Sequence, residues 1–301
     1  MAEKENCKLF SEFAPNTMQE WIDKVTVDLK GADFNKKLVW RTNEGFNVQP
    51  LYRLENMEDL KNLNCIPGEF PFVRGNKKDN NDWYIRQDIV VENVADANKK
   101  ALDVLNRGVN SLGFVLSGCS DFTKADMEAL LKDICLECVE INFVAGCHKS
   151  VVLDAFKAVV EERGIAPEKI HGGINIDPLS ALTRKGKCCN ENPYAVIKAN
   201  AEKMAAYKNF KTIEVGGYVF NNAGSSIVQE LGFSLAAGVE YLDKLTDTGM
   251  SVNDIAPKMR FHFATGSKYF MEIAKLRAAR YLWAHIVKAY NPCCDCKCMM
   301  N

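Results

Sequence analysis

Hydrophobic positions along the chain change repeatedly from strand-like runs to helical spacing. From Trp83 onward, each short apolar run is followed by a longer segment whose apolar residues recur every three or four positions. The predicted strands cover residues 83–91, 111–116, 138–144, 169–176, 212–218 and 259–264. A strand followed by a helix, repeated along a chain, predicts a parallel sheet with helices packed outside it.

The charged positions of the last predicted helix fall on two edges. With a turn of 100° per residue, one edge carries Lys268, Glu272 and Lys275, and the opposite edge carries Arg277, Arg280 and Lys288. An ordinary surface helix carries its charges on one broad face. The pattern therefore favours a helix held between a core and a partner surface; the alternative is a solvated helix with ion pairs.

The first 80 residues are predicted to form an arm rather than another strand–helix unit. A helix over residues 21–29 ends before Gly31, and a small hairpin turns at residues 43–45. The predicted domains are the arm at 1–80, a barrel at 81–290 and a cysteine-rich tail at 291–301. A capping box at Thr123 and Asp126 starts one of the barrel helices.

The predicted fold class is α/β, with a (β/α)8 barrel favoured over an open doubly wound sheet. The strands are short and nearly uniform, and no GxGxxG or GxxxxGK[ST] phosphate loop follows any of them. A complete barrel needs eight units, and six are visible. The barrel is therefore expected to be incomplete, either because the chain is part of a longer polypeptide or because another contact covers the gap.

Composition excludes some classes of function. The 301 residues are 47% hydrophobic and 26% charged, with a formal net charge of -1. This balance gives no long-range attraction for nucleic acid or for an anionic membrane. The first residues lack an apolar signal core, and no run approaches the roughly 20 apolar residues of a membrane span. We therefore expect a cytoplasmic protein.

Twelve cysteines are present, and their positions favour free thiols over a disulfide scaffold. Those beside apolar segments, where a thiol packs as a small hydrophobe, are Cys65, Cys119, Cys135, Cys138 and Cys147. The Cys135–Cys138 spacing has no second pair nearby, so packing is favoured over metal binding. The four cysteines at 293–298 are too close together to wrap a tetrahedral ion. No metal site is predicted, and the tail is expected to fray.

Several segments carry a family resemblance. Residues 270–280, Phe-Met-Glu-Ile-Ala-Lys-Leu-Arg-Ala-Ala-Arg, closely resemble a hallmark of the methylmalonyl-CoA mutase family. Similar matches to the family's small-subunit arm, barrel entry and later barrel helix lie at 13–15, 20–21, 28–34, 37–40, 44–45, 50–52, 71–75, 85–87, 229–231 and 238–241. The resemblance spans residues 13–290 and implies the (β/α)8 barrel half of a longer subunit.

The resemblance also implies a chemistry. Family members use adenosylcobalamin to interconvert methylmalonyl-CoA and succinyl-CoA by a radical 1,2-rearrangement, with the acyl-CoA held in the barrel. Their cobalamin-binding domain carries an Asp-x-His-x-x-Gly motif, which does not occur in these 301 residues. The chain is therefore expected to bind no cofactor itself, with adenosylcobalamin held by a large-subunit partner in a heterodimer.

Catalytic positions of the family are altered in this chain. Active members polarise the thioester oxygen with a His in a Gly-Gly-Tyr-His pattern, and here Val219 follows Tyr218. Tyr84 is too close to residues 85–87 to replace the substrate tyrosine. The segment that should carry the carboxylate-binding Arg ends in Asp177, which would repel an anion; Arg184 is a less favoured candidate to replace that Arg. No catalytic residue is predicted, and the resemblance implies a noncatalytic, supporting small subunit.

Other polar residues remain as low-ranking pocket candidates. They are Tyr218, Asn221, Asn222, His262 and Arg184. His262 is favoured as a hydrogen-bonded core residue, and the two asparagines could cap the following helix. His171 and the Cys147–His148 pair are weaker candidates for catalysis. The alternative functions are an active acyl-CoA mutase of altered specificity, using Asn221, His262 or Arg184, and a free-standing binding barrel.

Overall fold

The computed structural model describes residues 10–116 and 122–301. These divide into two compact units, which comprise Met1–Leu63 and Asn64–Asn301. The predicted boundary of the arm near residue 80, like the other domain limits, stays a prediction. Cys119, one of the cysteines expected to be free, lies outside the described residues.

In its described residues, 10–63, the first unit contains two α-helices, a hairpin and a short 3-10 helix at Leu54–Met57. Its elements are α1 (Met18–Asp28), α2 (Phe34–Leu38), β1 (Trp40–Arg41) and β2 (Asn47–Val48). Thr17 and Glu20 form a capping box that starts α1, and β1 pairs with β2 in antiparallel register. The predicted helix and hairpin are confirmed. None of residues 10–63 is buried, so the described part of this unit has no hydrophobic core.

The second unit alternates strands and helices. Its strands are β3 (Arg86–Val90), β4 (Ser111–Val115), β5 (Glu140–Val144), β6 (Gly172–Ile174), β7 (Phe210–Lys211), β8 (Ile213–Gly216) and β9 (Met259–His262). Its helices are α3 (Val94–Asn106), α4 (Lys124–Leu130), α5 (Lys149–Glu162), α6 (Pro178–Lys185), α7 (Pro193–Lys203), α8 (Tyr218–Asn222), α9 (Ile227–Asp247), α10 (Val252–Ile255) and α11 (Tyr269–Ala289).

All strand pairs of the second unit are parallel. Strands β3 to β7 pair in chain order, and β8 pairs with β9. Only Thr212 separates β7 from β8, and the N–H of Glu214 bonds to the carbonyl of Ile176, 3.1 Å away. The predicted parallel α/β architecture is confirmed, and it is consistent with a partial barrel of the TIM type.

Aromatic rings join the sheet to its helices. Phe114 of β4 contacts Phe143 of β5, and Phe143 contacts Phe156 of α5, with ring centroids 6.2 and 5.2 Å apart. Phe261 of β9 lies 4.7 Å from Trp283 of α11. All these residues are buried, so the helices cover one face of the sheet and place the residues between them on the opposite face.

The sequence analysis missed the short helices α2, α8 and α10, and also α6, which carries the clearest signal. After β6 the chain forms α6, begun by Asp177 as N-cap with Pro178 at the first position and ended by Gly186. Asp-Pro followed by a glycine eight residues beyond the proline is a helix signal. The sequence analysis predicted the strand at 169–176 but overlooked this helix after it.

The expectation that Cys147 is a free thiol is wrong. Cys147 forms a disulfide with Cys189, and Cys294 forms one with Cys296. Periodicity placed Cys147 beside an apolar strand but could not show that the α6–α7 connection returns to it. The expected frayed tail is also wrong: Cys298 is buried, and the N–H of Phe261 bonds to the carbonyl of Asn301 at 2.8 Å.

Candidate functional site

Polar side chains line the sheet face that the helices leave uncovered. Alternate residues of the strands point to this face, which we call the polar sheet face. It consists of Arg86, Asp88, Ser111, Gly113, Glu140, Asn142, Gly173, Lys211, Glu214, Arg260 and His262. Barrel interiors are usually packed with branched apolar residues, so these side chains are unusual for the architecture.

Glu140 is the centre of a hydrogen-bonded cluster on this face. Its Oε2 accepts bonds from Ser111 Oγ at 2.5 Å and Asn142 Nδ2 at 3.0 Å. Its Oε1 lies 3.3 Å from Nη1 of Arg260, and both charged side chains are mostly buried. Burial lowers the pKa of Arg260, although the Glu140 carboxylate opposes the shift. The cluster fixes one cation, on β9, beside one anion, on β5.

Two glycines leave the space that the charged side chains occupy. A Cβ at Gly113 would lie 1.8 Å from Asp88 Oδ1, and one at Gly173 would lie 2.6 Å from Arg260 Nη2. Any side chain at either position would therefore displace a charged group of the polar sheet face. Asp88 is itself paired with Arg86, whose Nε lies 2.7 Å from its Oδ1.

Glu214 and His262 form the second pair on the polar sheet face. His262 Nδ1 lies 3.3 Å from Glu214 Oε1, and the Glu214 side chain is 8% exposed. Burial would raise the pKa of Glu214, but His262, Arg260 and Arg86 outweigh it, so the pKa lies below its ordinary value. His262 is thus paired with a buried carboxylate, while the choice between a core residue and a ligand-binding one stays a prediction.

Tyr218 and Arg184 meet where β8 ends. Tyr218 is the first residue of α8 and is half-buried, and the Arg184 side chain lies close enough to its hydroxyl to oppose the rise in its pKa. Burial raises the pKa of the Tyr218 hydroxyl, and the nearby Glu214 carboxylate adds to the shift. Val219, the next residue, is 6% exposed and presents only methyl groups. The region therefore offers a phenol and a guanidinium, with an apolar residue where the resemblance places an imidazole.

Asp177 is internal rather than directed at a ligand. Its Oδ1 accepts from Ser180 N at 2.9 Å and Tyr241 Oη at 2.6 Å, and its Oδ2 accepts from Gly216 N at 2.7 Å and Ser180 Oγ at 2.5 Å. Burial raises the pKa of this carboxyl, and the bonds from Ser180 and Tyr241 oppose the shift. The interpretation of Asp177 as a repellent for an anionic substrate is therefore wrong. Its role is to join the start of α6 to the end of β8.

The remaining candidates lie apart. Asn221 and Asn222 end α8, and α9 is capped by Ser226 with Gln229, so the expectation that the asparagines cap α9 is wrong. The carbonyl of His171 accepts from Ile141 N at the beginning of β6, the end opposite to Tyr218. Because Cys147 is bonded to another cysteine, it cannot form a thiolate pair with His148.

A buried ionic triad holds the loop after β9. Lys275 Nζ lies 2.7 Å from both Glu230 Oε2 and Glu272 Oε2, and the Lys275 and Glu230 side chains have no exposed surface. Glu230 Oε1 accepts from Ala264 N at 2.8 Å, and Glu272 Oε1 accepts from Gly266 N at 2.9 Å. The alternative of a solvated helix is therefore wrong for this edge of α11, which faces the interior.

Residues 10–116 and 122–301 lack two further classes of feature. No group of three or more His, Cys, Asp or Glu side chains is arranged to hold a metal ion. In the same residues, no helix has both the length and the apolar character that crossing a membrane requires.

Comparison with known proteins identifies relatives. The family model described as methylmalonyl-CoA mutase matches residues 41–119 and 114–301. A methylmalonyl-CoA mutase small subunit of Porphyromonas gingivalis is 49% identical over 96% of this chain and 46% of its own length. The small and large subunits of Streptomyces virginiae are 30% and 32% identical, with 46% and 38% of their lengths covered. The chain thus spans less than half the length of these relatives.

Fold and site together define a parallel α/β protein of partial barrel type, whose candidate site lies on the polar sheet face and at the carboxyl end of β8. With the family model covering most of its residues, the chain belongs to the methylmalonyl-CoA mutase family. Its similarity to both a small and a large subunit means that family membership alone does not assign a catalytic role.

Proposed function

We propose that this chain is the barrel part of a methylmalonyl-CoA mutase small subunit, noncatalytic itself, which supports a large subunit that isomerises the acyl-CoA. The 49% identity to a small subunit supports this assignment. The observation that carries the noncatalytic part is Val219, buried at the position of the family's imidazole. A methyl-bearing side chain cannot donate a hydrogen bond to a thioester oxygen.

The polar sheet face supports the same proposal. In the active members that the sequence resembles, the acyl-CoA is held in the barrel. Here the Arg260 side chain occupies the space in front of Gly173, and Asp88 occupies the space in front of Gly113. Moving Arg260 aside would leave Glu140, a largely buried carboxylate, without its cation. Charged groups held in this way oppose entry of an apolar pantetheine arm.

The first unit supports pairing with a large subunit. It exposes many large apolar side chains: Phe10, Phe13, Val27, Trp40, Phe46, Tyr52, Leu54, Met57, Leu60 and Leu63. Exposed apolar surface on this scale marks an interaction site. We propose that this unit contacts the large subunit. The cytoplasmic location expected from the sequence is part of the same proposal.

Adenosylcobalamin is proposed to bind to the partner, where it supplies the radical that starts the rearrangement. Imidazole is the ligand that these residues could offer to cobalt. The chain has four histidines, and His262 is paired with Glu214 while His285 packs between Phe70 and Tyr281. These two side chains do not fit the role of an axial ligand without losing contacts of the fold.

The competing function is an acyl-CoA mutase of altered specificity. The observation in its favour is the Tyr218–Arg184 pair beside the Glu214–His262 pair, since a guanidinium binds carboxylates and an imidazole can donate a proton. Under this hypothesis, Arg184 would hold the free carboxylate of the substrate and His262 would polarise the thioester.

Turnover assays separate the two hypotheses. Methylmalonyl-CoA and adenosylcobalamin are incubated with this chain alone, with a large subunit alone and with both. We expect turnover only where the large subunit is present. Turnover by this chain alone, lost in Arg184→Ala and His262→Ala, contradicts the supporting role and establishes the alternative.

Assembly is tested separately by size-exclusion chromatography of the mixture. The paired substitutions Val27→Asp and Leu54→Asp place charges on two exposed apolar positions, 69% and 80% accessible, and should weaken assembly with the large subunit. Lys24→Ala, a change at an exposed position of α1, the helix that contains Val27, is the matched control. Equal assembly of the wild type, the double variant and Lys24→Ala with the large subunit contradicts the proposed role of the first unit.

A further inference from the structure

A disulfide joins two loops at the carboxyl ends of the strands. Cys147 follows β5, and Cys189 lies in the connection between α6 and α7, 42 residues later. Their Cα atoms are 5.7 Å apart, a separation at which two cysteines are bridged without movement of the backbone. Both residues are exposed, so a small reductant reaches the bond in the folded protein.

The α6–α7 connection has few other ties. Gly186 ends α6 with a bond to Leu182, and Asn192 begins α7 by accepting from Ala195. Within the described chain, residues 187–191 make no backbone hydrogen bond to another element. Their side-chain tie is the bond from Cys188 Sγ to the Pro178 carbonyl, a weak contact at 3.5 Å. Position 189 is therefore held chiefly by the covalent bond.

This connection covers a small cavity. The cavity measures about 110 Å³ and is lined in part by Lys149, Ile176, Ala181 and Val196, with both bonded cysteines at its rim. Lys149 is half-buried there, and burial lowers the pKa of its amino group. Release of the connection would expose this lysine and the apolar side chains around it.

We propose that the Cys147–Cys189 disulfide is a redox-sensitive clamp, which holds the α6–α7 connection over the cavity when oxidised and releases it when reduced. The reductant is a dithiol. Its thiolate attacks one sulfur, the S–S bond breaks, each cysteine gains one electron and one proton, and the reductant leaves as its own disulfide. An exposed disulfide is the kind that exchanges in a reducing compartment. The inference is independent of the proposed function.

The pairing is tested first. The full chain is treated with oxidised glutathione, its free thiols are alkylated, and non-reduced peptides are identified by mass spectrometry. We expect a peptide pair joined through Cys147 and Cys189. Cys188, the next residue in sequence, is the internal competitor, so a Cys147–Cys188 pair or the absence of any bond at Cys147 overturns the proposal.

The release is tested by limited trypsin digestion. Cleavage after Lys187 reports opening of the connection, and cleavage after Arg107, an exposed site at the end of α3, is the internal reference. We expect cleavage after Lys187 to be roughly tenfold faster in dithiothreitol, relative to the reference site, because local opening controls proteolysis. Equal ratios in the two redox states, with the bond shown to be present, overturn the proposal.

Two variants form a matched pair. In Cys189→Ser the clamp cannot close, so cleavage after Lys187 should be fast in both redox states. In Cys188→Ser the bond remains, and the dependence on dithiothreitol should be retained. If Cys188→Ser instead removes the dependence, the wrong thiol has been assigned and the proposal fails.

Discussion

Lys275 and Glu230 form an ion pair with no exposed side-chain surface, with Nζ 2.7 Å from Oε2. The pair joins α11 to α9. Lys275 also donates to the Ala264 carbonyl at 2.5 Å, while Glu230 accepts from the N–H of the same residue. One residue of the loop after β9 is thus bound by both members of the pair.

Removing the cation should be costly. Lys275→Met leaves Glu230 and Glu272 buried together without a counter-charge, and we expect a loss of about 3–5 kcal/mol in the free energy of unfolding. Lys157→Met removes an exposed pair with Glu161 and should cost less than about 1 kcal/mol. Urea unfolding followed by circular dichroism measures both. Similar losses of unfolding free energy in the two variants would show that the buried triad stabilises the fold no more than an exposed ion pair does.

Asp177 should be irreplaceable by its amide. Asp177→Asn keeps the shape of the side chain but places an NH2 group against donors whose hydrogen bonds the carboxylate accepted. We expect a loss of about 2–3 kcal/mol in the free energy of unfolding. Tyr241→Phe removes one donor to Asp177 and the acceptor of the Leu179 N–H but leaves the other three bonds to Asp177, so its cost should be smaller than that of Asp177→Asn. The same unfolding measurement ranks them. A larger loss for Tyr241→Phe would contradict the assignment of Asp177 as the centre of this cluster.

Acid should weaken the protein through Glu214. Its pKa lies below the ordinary value in the folded state, so the unfolded chain takes up the proton first as pH falls. The stabilisation is therefore complete above the ordinary pKa of about 4.5 and is lost as pH falls through the lowered value. Urea midpoints of wild type and Glu214→Gln from pH 6 to pH 3 test this. If the urea midpoints of the two proteins fell in parallel with pH, Glu214 would make no contribution to the loss of stability in acid.

Mild alkali should have the opposite effect. Burial lowers the pKa of both Lys211 and Lys258 to about 8, against an ordinary value of 10.5. Between these values the unfolded chain binds more protons, so stability rises with pH by at most about 1.4 kcal/mol per pH unit for each lysine. Lys211→Met should reduce the slope between pH 8 and 9.5. An unchanged slope would contradict the lowered pKa of Lys211.

Glycine substitutions test the packing of the polar sheet face. Gly173→Ala would push a methyl group to 2.6 Å from Arg260 Nη2 and 2.9 Å from the Lys211 carbonyl, and should destabilise by about 1–3 kcal/mol. Gly232→Ala, in α9 with no atom within 4 Å of the new Cβ, should be neutral or stabilising by up to about 1 kcal/mol. Thermal unfolding distinguishes them, and equal effects would contradict the assigned contact.

Regular elements could be predicted because their signals are local. The capping box at Thr123 and the arm helix that ends before Gly31 depend on neighbours within a few residues, and the structure confirms both. The parallel pairing of the strands followed from the alternation of strands and helices. Val219 was identified by a local pattern in the same way, although its consequence for activity is a proposal.

Direction of loop side chains could not be predicted. Asp177 was interpreted as facing a substrate, but its partners Gly216 and Tyr241 lie 39 and 64 residues away in sequence. The same limit applies to Cys147 and Cys189, and to the Glu140–Arg260 pair, which is separated by 120 residues. Periodicity shows which face of a strand a residue occupies but not which residue faces it from another element.

Because the charges on the polar sheet face are paired, a barrel that has lost the capacity to bind a ligand cannot easily regain it. A shorter side chain in place of Arg260 would leave the Glu140 carboxylate without its cation, and a shorter one in place of Glu140 would leave Arg260 without its anion. Each single substitution therefore lowers the stability of the fold before the barrel opens to a ligand. A lineage that had filled its barrel with compensated ions would need simultaneous changes to empty it. Random drift one codon at a time would therefore tend to preserve the filled form.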